Sequence, residues 1–270
     1  RADARSLTMP EIFCTTVIPT VGRPTLARAV RSVLDQEFDS GGIQVVVVND
    51  SGRPLPPEPW QDDARVRVLH TDRRERCVAR NAGAAVAAGR YLHFLDDDDV
   101  LLPGGMRALW QRATEAPSAV WVYGSWQIAD NDGRVLEEFH PDLSGNILAH
   151  LVAGESVPLQ ASLVRTECFQ ATDGFDPILL AAEDRDLGRR LALRGDVARA
   201  PAVVSRIRVG RLGSTTDWSR LPEDDRVGRE KVVAIDGAFR RMRDAASTDR
   251  LAGRVVRAYI ASAAWNLKHL

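Results

Sequence analysis

Ile43-Gln44-Val45-Val46-Val47-Val48 constrains the fold more than any other stretch of the chain. A strand with one wet face alternates apolar and polar residues. A run of branched residues without alternation reads as a strand covered on both faces, as in a parallel sheet flanked by helices. Phe13 to Pro19 and Tyr91 to Leu95 have the same character. Leu26, Val30, Val33 and Leu34 repeat at helical spacing, with Thr25 placed to cap, and predict a helix over 26–36. Val66 to Leu69 reads as a short strand and Arg73 to Cys77 as a charged loop. Val78 to Ala88 reads as an alanine-rich helix stopped at Gly89. Strand, helix, strand, strand, helix, strand describes an α/β domain with a largely parallel sheet.

Each of the three long strands ends in polar residues: Thr20 onward, Asn49-Asp50, and Asp96-Asp97-Asp98-Asp99. In open α/β sheets ligands bind at the carboxyl ends of strands, so these tips form a candidate site. Four adjacent carboxylates need a cation, strong donors or shared protons. Mg²⁺ or Mn²⁺ is the usual oxygen-bound answer; a solvated acidic turn is the plain alternative.

The second half reads less cleanly. Leu101 to Ala113 is an expected helix. Ala119 to Tyr123 is an expected strand, and residues 124–134 form a hairpin turning at Asn131-Asp132-Gly133. Residues 138–154 have no clear period. Leu159 to Val164 and Val203 to Val209 are expected strands, and Glu183 opens a helix through Leu193. Residues 223–270 are helical by pattern, with Val232, Ile235, Phe239 and Met242 on one face.

The 36 basic and 37 acidic residues give a net charge of −1, so no global field draws the chain to nucleic acid or anionic membrane. Cys14, Cys77 and Cys168 lack any CxxC spacing, which fits a reducing compartment, the cytoplasm. No run approaches the roughly 20 apolar residues of a transmembrane helix. The chain starts at Arg1, as expected of a piece of a longer protein.

Singly, each candidate has a plain reading. Asp50 either contacts a nucleobase or sugar hydroxyl, or closes an Asx turn with Ser51-Gly52. Glu183-Asp184 either caps a helix or supplies a general base. Arg80 either forks onto phosphate or pairs at the surface. Trp110 and Trp121 read as core, whereas Trp126 is open to sugar stacking. His140 and His150 read as structural. No glycine-rich phosphate loop is present.

Taken in order, these pieces resemble the family 2 glycosyltransferases of GT-A fold. The resemblance is carried by Val17-Ile18-Pro19-Thr20 with Arg23-Pro24, by Val47-Val48-Asn49-Asp50-Ser51-Gly52, and by Ala79-Arg80-Asn81-Ala82-Gly83 through Asp96 to Asp99. Asp173-Gly174-Phe175-Asp176, followed by Glu183-Asp184-Arg185-Asp186-Leu187, completes it. It implies a Rossmann-like, mostly parallel mixed sheet flanked by helices. Residues 13–218 would be the catalytic domain, with a nucleotide-sugar half over 13–100 and an acceptor half over 101–218. Segment 1–12 precedes it, and a helical extension over 219–270 follows as a possible homo-oligomer contact.

The resemblance further implies inverting transfer from a UDP-, GDP- or dTDP-sugar to an unidentified acceptor hydroxyl, with Mn²⁺ or Mg²⁺ on the diphosphate. Asp184 would be the base and Asp98 the metal ligand. Pro19, Thr20, Arg23, Asp50, Arg80, Asp96 and Asp97 would lie on the donor side, Asp97 and Asp99 more as orienting or capping groups. Trp126, Glu183, Arg208 and Arg211 are candidates for acceptor or diphosphate contacts. Family members often carry a histidine after the last strand; here Arg208-Val209-Gly210-Arg211 stands in its place. A sugar nucleotidyltransferase and a non-catalytic nucleotide-sugar-binding domain are the alternatives.

Overall fold

A computed structural model describes residues 12–37, 42–179 and 182–209. Arg211, the segment before Ile12 and the expected helical extension lie outside the described residues.

The first half follows the expected order. Strand β1 (Ile12–Thr20) leads to helix α1 (Leu26–Leu34), β2 (Gly42–Asn49), β3 (Val66–His70), α2 (Arg76–Ala85) and β4 (Tyr91–Phe94). Strand β2 pairs in parallel with β1 and β3, and β1 pairs in parallel with β4. The branched run is covered on both faces, as its composition demands. Val46 and Val48 enter one apolar cluster with Val17, Leu92 and Phe94. Val45 and Val47 enter the other with Ile18, Leu26 and Val30.

After β4 come β5 (Val100–Leu101), α3 (Gly105–Glu115), β6 (Trp121–Ala129), β7 (Val135–Phe139), α4 (Leu148–Val152), β8 (Ser162–Arg165), α5 (Thr166–Gln170), α6 (Glu183–Ala192) and β9 (Val197–Arg208). Among the described residues, nine strands form one sheet in the order β3-β2-β1-β4-β8-β6-β9-β5, with β7 paired to β6. Pairing turns antiparallel at β4–β8 and β8–β6, becomes parallel again at β6–β9, and is antiparallel at β9–β5.

Several boundaries differ from expectation. Helix α2 starts at Arg76, inside the expected charged loop, because the Glu75 carboxylate accepts hydrogen bonds from Cys77 N and Val78 N. Such capping satisfies two of the free N–H groups at a helix start. Thr25 makes no side-chain cap; its carbonyl accepts from Arg28 N and Ala29 N instead. The expected helix from Leu101 starts at Gly105, because Val100–Leu101 pairs with β9. Strand β6 runs unbroken to Ala129, so the expected hairpin turn joins it to β7. Strand β9 begins at Val197, six residues before the expected start at Val203.

Candidate active site

Because β2, β1 and β4 are adjacent and parallel, their carboxyl ends open on one side of the sheet. Thr20, Asp50 and the four aspartates are brought together by topology alone.

The aspartates do not share one environment. Asp97 is fully buried; Oδ2 accepts from the Thr20 hydroxyl at 2.5 Å and Oδ1 from Arg23 at 2.5 Å. Burial pushes its carboxyl up, against the pull of Thr20 and Arg23. Asp99 is buried too, and its Oδ1 accepts from Arg208 N at 2.7 Å. Burial, then the charges of Asp96 and Asp98, push it well above the usual carboxylate range. Asp96 is pushed up by burial, but Arg80 outweighs this and holds its carboxyl below the usual value. Asp98 has a side chain 15% exposed, 3.8 Å from Arg23, and its backbone carbonyl accepts from Arg28 at 3.0 Å. The crowding of like charges is thus relieved by unequal surroundings.

Arg80 is the junction of the site. It donates to Asp96 Oδ1 at 2.7 Å and to Glu183 Oε1 at 2.8 Å. Its guanidinium lies 5.2 Å from the centre of the Phe175 ring. Burial alone would pull the group down, but Asp96 and Glu183 outweigh it and hold it charged. Arg76 approaches the same Glu183 oxygen at 3.5 Å. Gln160 Nε2 donates to Asp96 Oδ2 at 3.0 Å.

These contacts carry the start of α6 to the tip of β4. Ala182, just before α6, has φ 59 and lies in the left-handed region that a residue with a Cβ adopts only under constraint. The preceding turn is pinned by Asn81, which accepts from Phe175 N at 2.9 Å and donates to Phe175 O at 2.8 Å. Asp184 stands at the junction half-buried, its Oδ1 accepting from Arg185 N at 2.7 Å. Burial, then the charge of Glu183, push the Asp184 carboxyl up.

Asp50 is buried and spends its carboxylate on the following loop. It accepts from Thr71 Oγ1 at 2.8 Å, Arg73 N at 2.9 Å and Glu75 N at 2.6 Å. Burial pushes it up, yet these donors prevail and hold it below the usual value. Pro19 lies beside Thr20 at the end of β1. Trp126 is buried and stacks on Phe139 with ring centres 5.5 Å apart. The Arg208 guanidinium turns to Asn131 O at 2.6 Å. Arg76, Gln160 and the pinning role of Asn81 were not read from the sequence. Gln160 sits in a stretch that reads as strand but forms a short turn before β8, and Arg76 in one that reads as loop.

Among the described residues, no group of three or more His, Cys, Asp or Glu side chains forms a metal cage. Mg²⁺ and Mn²⁺ seldom use one; they take one or two carboxylates and complete their shell with water and substrate phosphates. The oxygen donors of Asp98 and Asp96 fit that mode. No helix of the described residues is long and apolar enough to cross a membrane.

Residues 15–147 match the model of Glycosyl transferase family 2. The chain is 36% identical over 118 residues to the succinoglycan biosynthesis protein ExoO of Rhizobium meliloti, covering 43% of this chain and 33% of that protein. It is 28% identical over 138 residues to the GalNAc(5)-diNAcBac-PP-undecaprenol beta-1,3-glucosyltransferase of Campylobacter jejuni, covering 48% of this chain and 42% of that protein. The matches thus span less than half the length of these relatives. The S. aureus TarS 1-349 structure in complex with UDP-GlcNAc superposes with TM-score 0.62 at 16% identity, over 77% of this chain and 61% of that one. The described chain therefore has the GT-A glycosyltransferase fold.

Proposed function

The chain belongs to glycosyl transferase family 2, and on that premise we propose that it moves a sugar from a nucleotide-diphosphate donor to an acceptor hydroxyl with inversion at the anomeric carbon. The observation that carries this reading is the Asp96–Arg80–Glu183 bridge. It joins the tip of a strand in the parallel sheet to the helix that bears Asp184. A donor site and a base are thereby held in one rigid frame. The likeness to the TarS structure in complex with UDP-GlcNAc supports a nucleotide-sugar donor.

In this reading Asp184 accepts the proton of the acceptor hydroxyl as its oxygen bonds to the anomeric carbon. The bond from that carbon to the diphosphate oxygen breaks on the opposite face. A carboxyl pushed up by burial is a better proton acceptor than an exposed one, which suits a general base. Asp97, saturated by Thr20 and Arg23, fixes the loop after β1 against the loop after β4. Asp50 closes the loop after β3, shaping the floor on which a nucleoside would lie. Asp98, with Asp96 behind it, would hold Mg²⁺ or Mn²⁺, which stabilises the charge of a departing diphosphate.

The test is release of nucleoside diphosphate from a panel of UDP-, GDP- and dTDP-sugars with Mn²⁺ or Mg²⁺. Asp98→Ala is expected to lower turnover about 100-fold or more, and chelation of the metal to abolish it reversibly. Full activity in both Asp98→Ala and Asp184→Asn would sink the mechanism.

A further inference from the structure

Arg76 and Arg80 stand four residues apart on α2, hence on one helix face. Both reach Glu183, but their surroundings differ. The Arg80 side chain is 7% exposed, and its two terminal nitrogens are spent on carboxylates from the two sides of the site. The Arg76 side chain is 42% exposed, and its approach to Glu183 is long, at 3.5 Å. Its charge also helps to hold the Asp96 carboxyl below the usual value.

An incoming anion could reach Arg80 only by breaking a buried ion pair, which would leave a carboxylate uncompensated in a poorly solvated place. The Arg76 side chain is open to solvent, so an anion can approach its guanidinium without entering that buried pair. The guanidinium fork suits phosphate oxygens in either case; access separates the two.

We propose that the two arginines divide the work, with Arg76 contacting the diphosphate of the nucleotide donor and Arg80 serving as a positioning residue that does not touch it. Arg80 holds Glu183, and through it the start of α6 and Asp184, at a fixed place against β4. This rests on the nucleotide-sugar reading above and reverses what the Ala79-Arg80-Asn81 motif implies about which arginine meets phosphate. Loss of Arg76 therefore weakens donor affinity, whereas loss of the Arg80 fork leaves affinity and impairs turnover.

The experiment measures calorimetric binding of UDP, GDP and dTDP with Mn²⁺ to wild type, Arg76→Ala and Arg80→Lys. The matching nucleosides serve as phosphate-free controls, and sugar-transfer kinetics are recorded on the same proteins. Arg76→Ala is expected to weaken nucleoside-diphosphate binding about tenfold or more and to leave nucleoside binding unchanged. Arg80→Lys keeps the charge but not the fork; turnover is expected to fall about 10- to 100-fold, with diphosphate affinity and donor KM within about threefold. Glu183→Gln breaks the same bridge from its other end and is expected to show the same split. Thermal midpoints identify any variant that fails to fold, and the split is then read from the other one.

Diphosphate affinity lost in Arg80→Lys and kept in Arg76→Ala overturns the inference. Equal weakening of nucleoside and nucleotide by Arg76→Ala overturns it as well. If wild type binds none of the three nucleotides, the nucleotide-sugar reading falls and takes the inference with it. If wild type binds and Arg76→Ala binds equally well, the inference alone falls.

Discussion

The two halves of the sheet reach the site by different routes. In the first, β3, β2, β1 and β4 all run the same way. Every strand then ends on one side, so Thr20, Asp50 and Asp96 to Asp99 meet without any side chain selecting the arrangement. In the second half β8 runs against both β4 and β6, and β5 against β9. Direction no longer gathers anything. What that half contributes, Gln160 and the Glu183-Asp184 start of α6, arrives from a short turn and a helix end and is held by side-chain contacts to Asp96 and Arg80. The parallel half builds a floor through backbone topology, and the mixed half delivers chemistry through a few ion pairs.

That contrast can be broken experimentally. The largest expected effect lies on the helix end: Asp184→Asn should lower transfer by about 10²- to 10⁴-fold with donor binding retained. Asp184 must be ionised to accept a proton, and burial with Glu183 pushes its carboxyl up. Wild-type turnover should therefore fall on acidification at a pH above the ordinary carboxylate range, and that acid limb should vanish in Asp184→Asn. An acid limb unchanged in the variant would assign the base elsewhere.

The next effect is on stability and sits at the seam between the halves. His93 on β4 is fully buried, between the Thr16 hydroxyl at 3.1 Å and Gln160 O at 3.0 Å. Burial pulls its pKa from 6.5 to about 4. Between these values the unfolded chain binds the proton and the folded chain does not. Stability is therefore intact above about pH 6.5 and falls by about 3 kcal/mol on acidification toward pH 4. Urea unfolding across that range should show this slope, reduced in His93→Asn.

The smallest effects compare packing directly. A Cβ on Gly83, in α2 over the parallel half, would stand 2.3 Å from Val17 Cγ1 and 3.0 Å from Val48 Cγ2. Gly83→Ala should cost about 1–3 kcal/mol. Gly133, in the β6–β7 turn, has φ 84 and open space around its Cα. Gly133→Ala should cost only the backbone term, about 1 kcal/mol. A reversed order in urea midpoints would mean that the parallel floor is not the more tightly packed region.

Legibility follows the same division. Strands β1, β2 and β4 were readable because burial on both faces demands unbroken branched runs. Helix α2 was read two residues late, because its start depends on a glutamate cap, Glu75, outside the usual set of capping residues. Strand β6 was read as two pieces because Gly124 interrupts it. That glycine is needed there, since a Cβ would stand 2.5 Å from Val204 Cγ1 on β9. The sequence leaves Trp126 open to sugar stacking, whereas in the fold Phe139 from the next strand takes its ring.

The α/β class, the three polar strand tips and the family resemblance are legible without coordinates, because each is written in local composition and chain order. The tertiary structure decided which arginine is buried, which aspartates lie in the core and which stand near solvent, and that Glu183 belongs to Arg80. Those properties depend on what packs against a side chain from a distant part of the chain, 103 residues away for Arg80 and Glu183. The burial of a charged side chain and its choice of ion-pair partner, unlike strand periodicity, leave no local trace in the sequence.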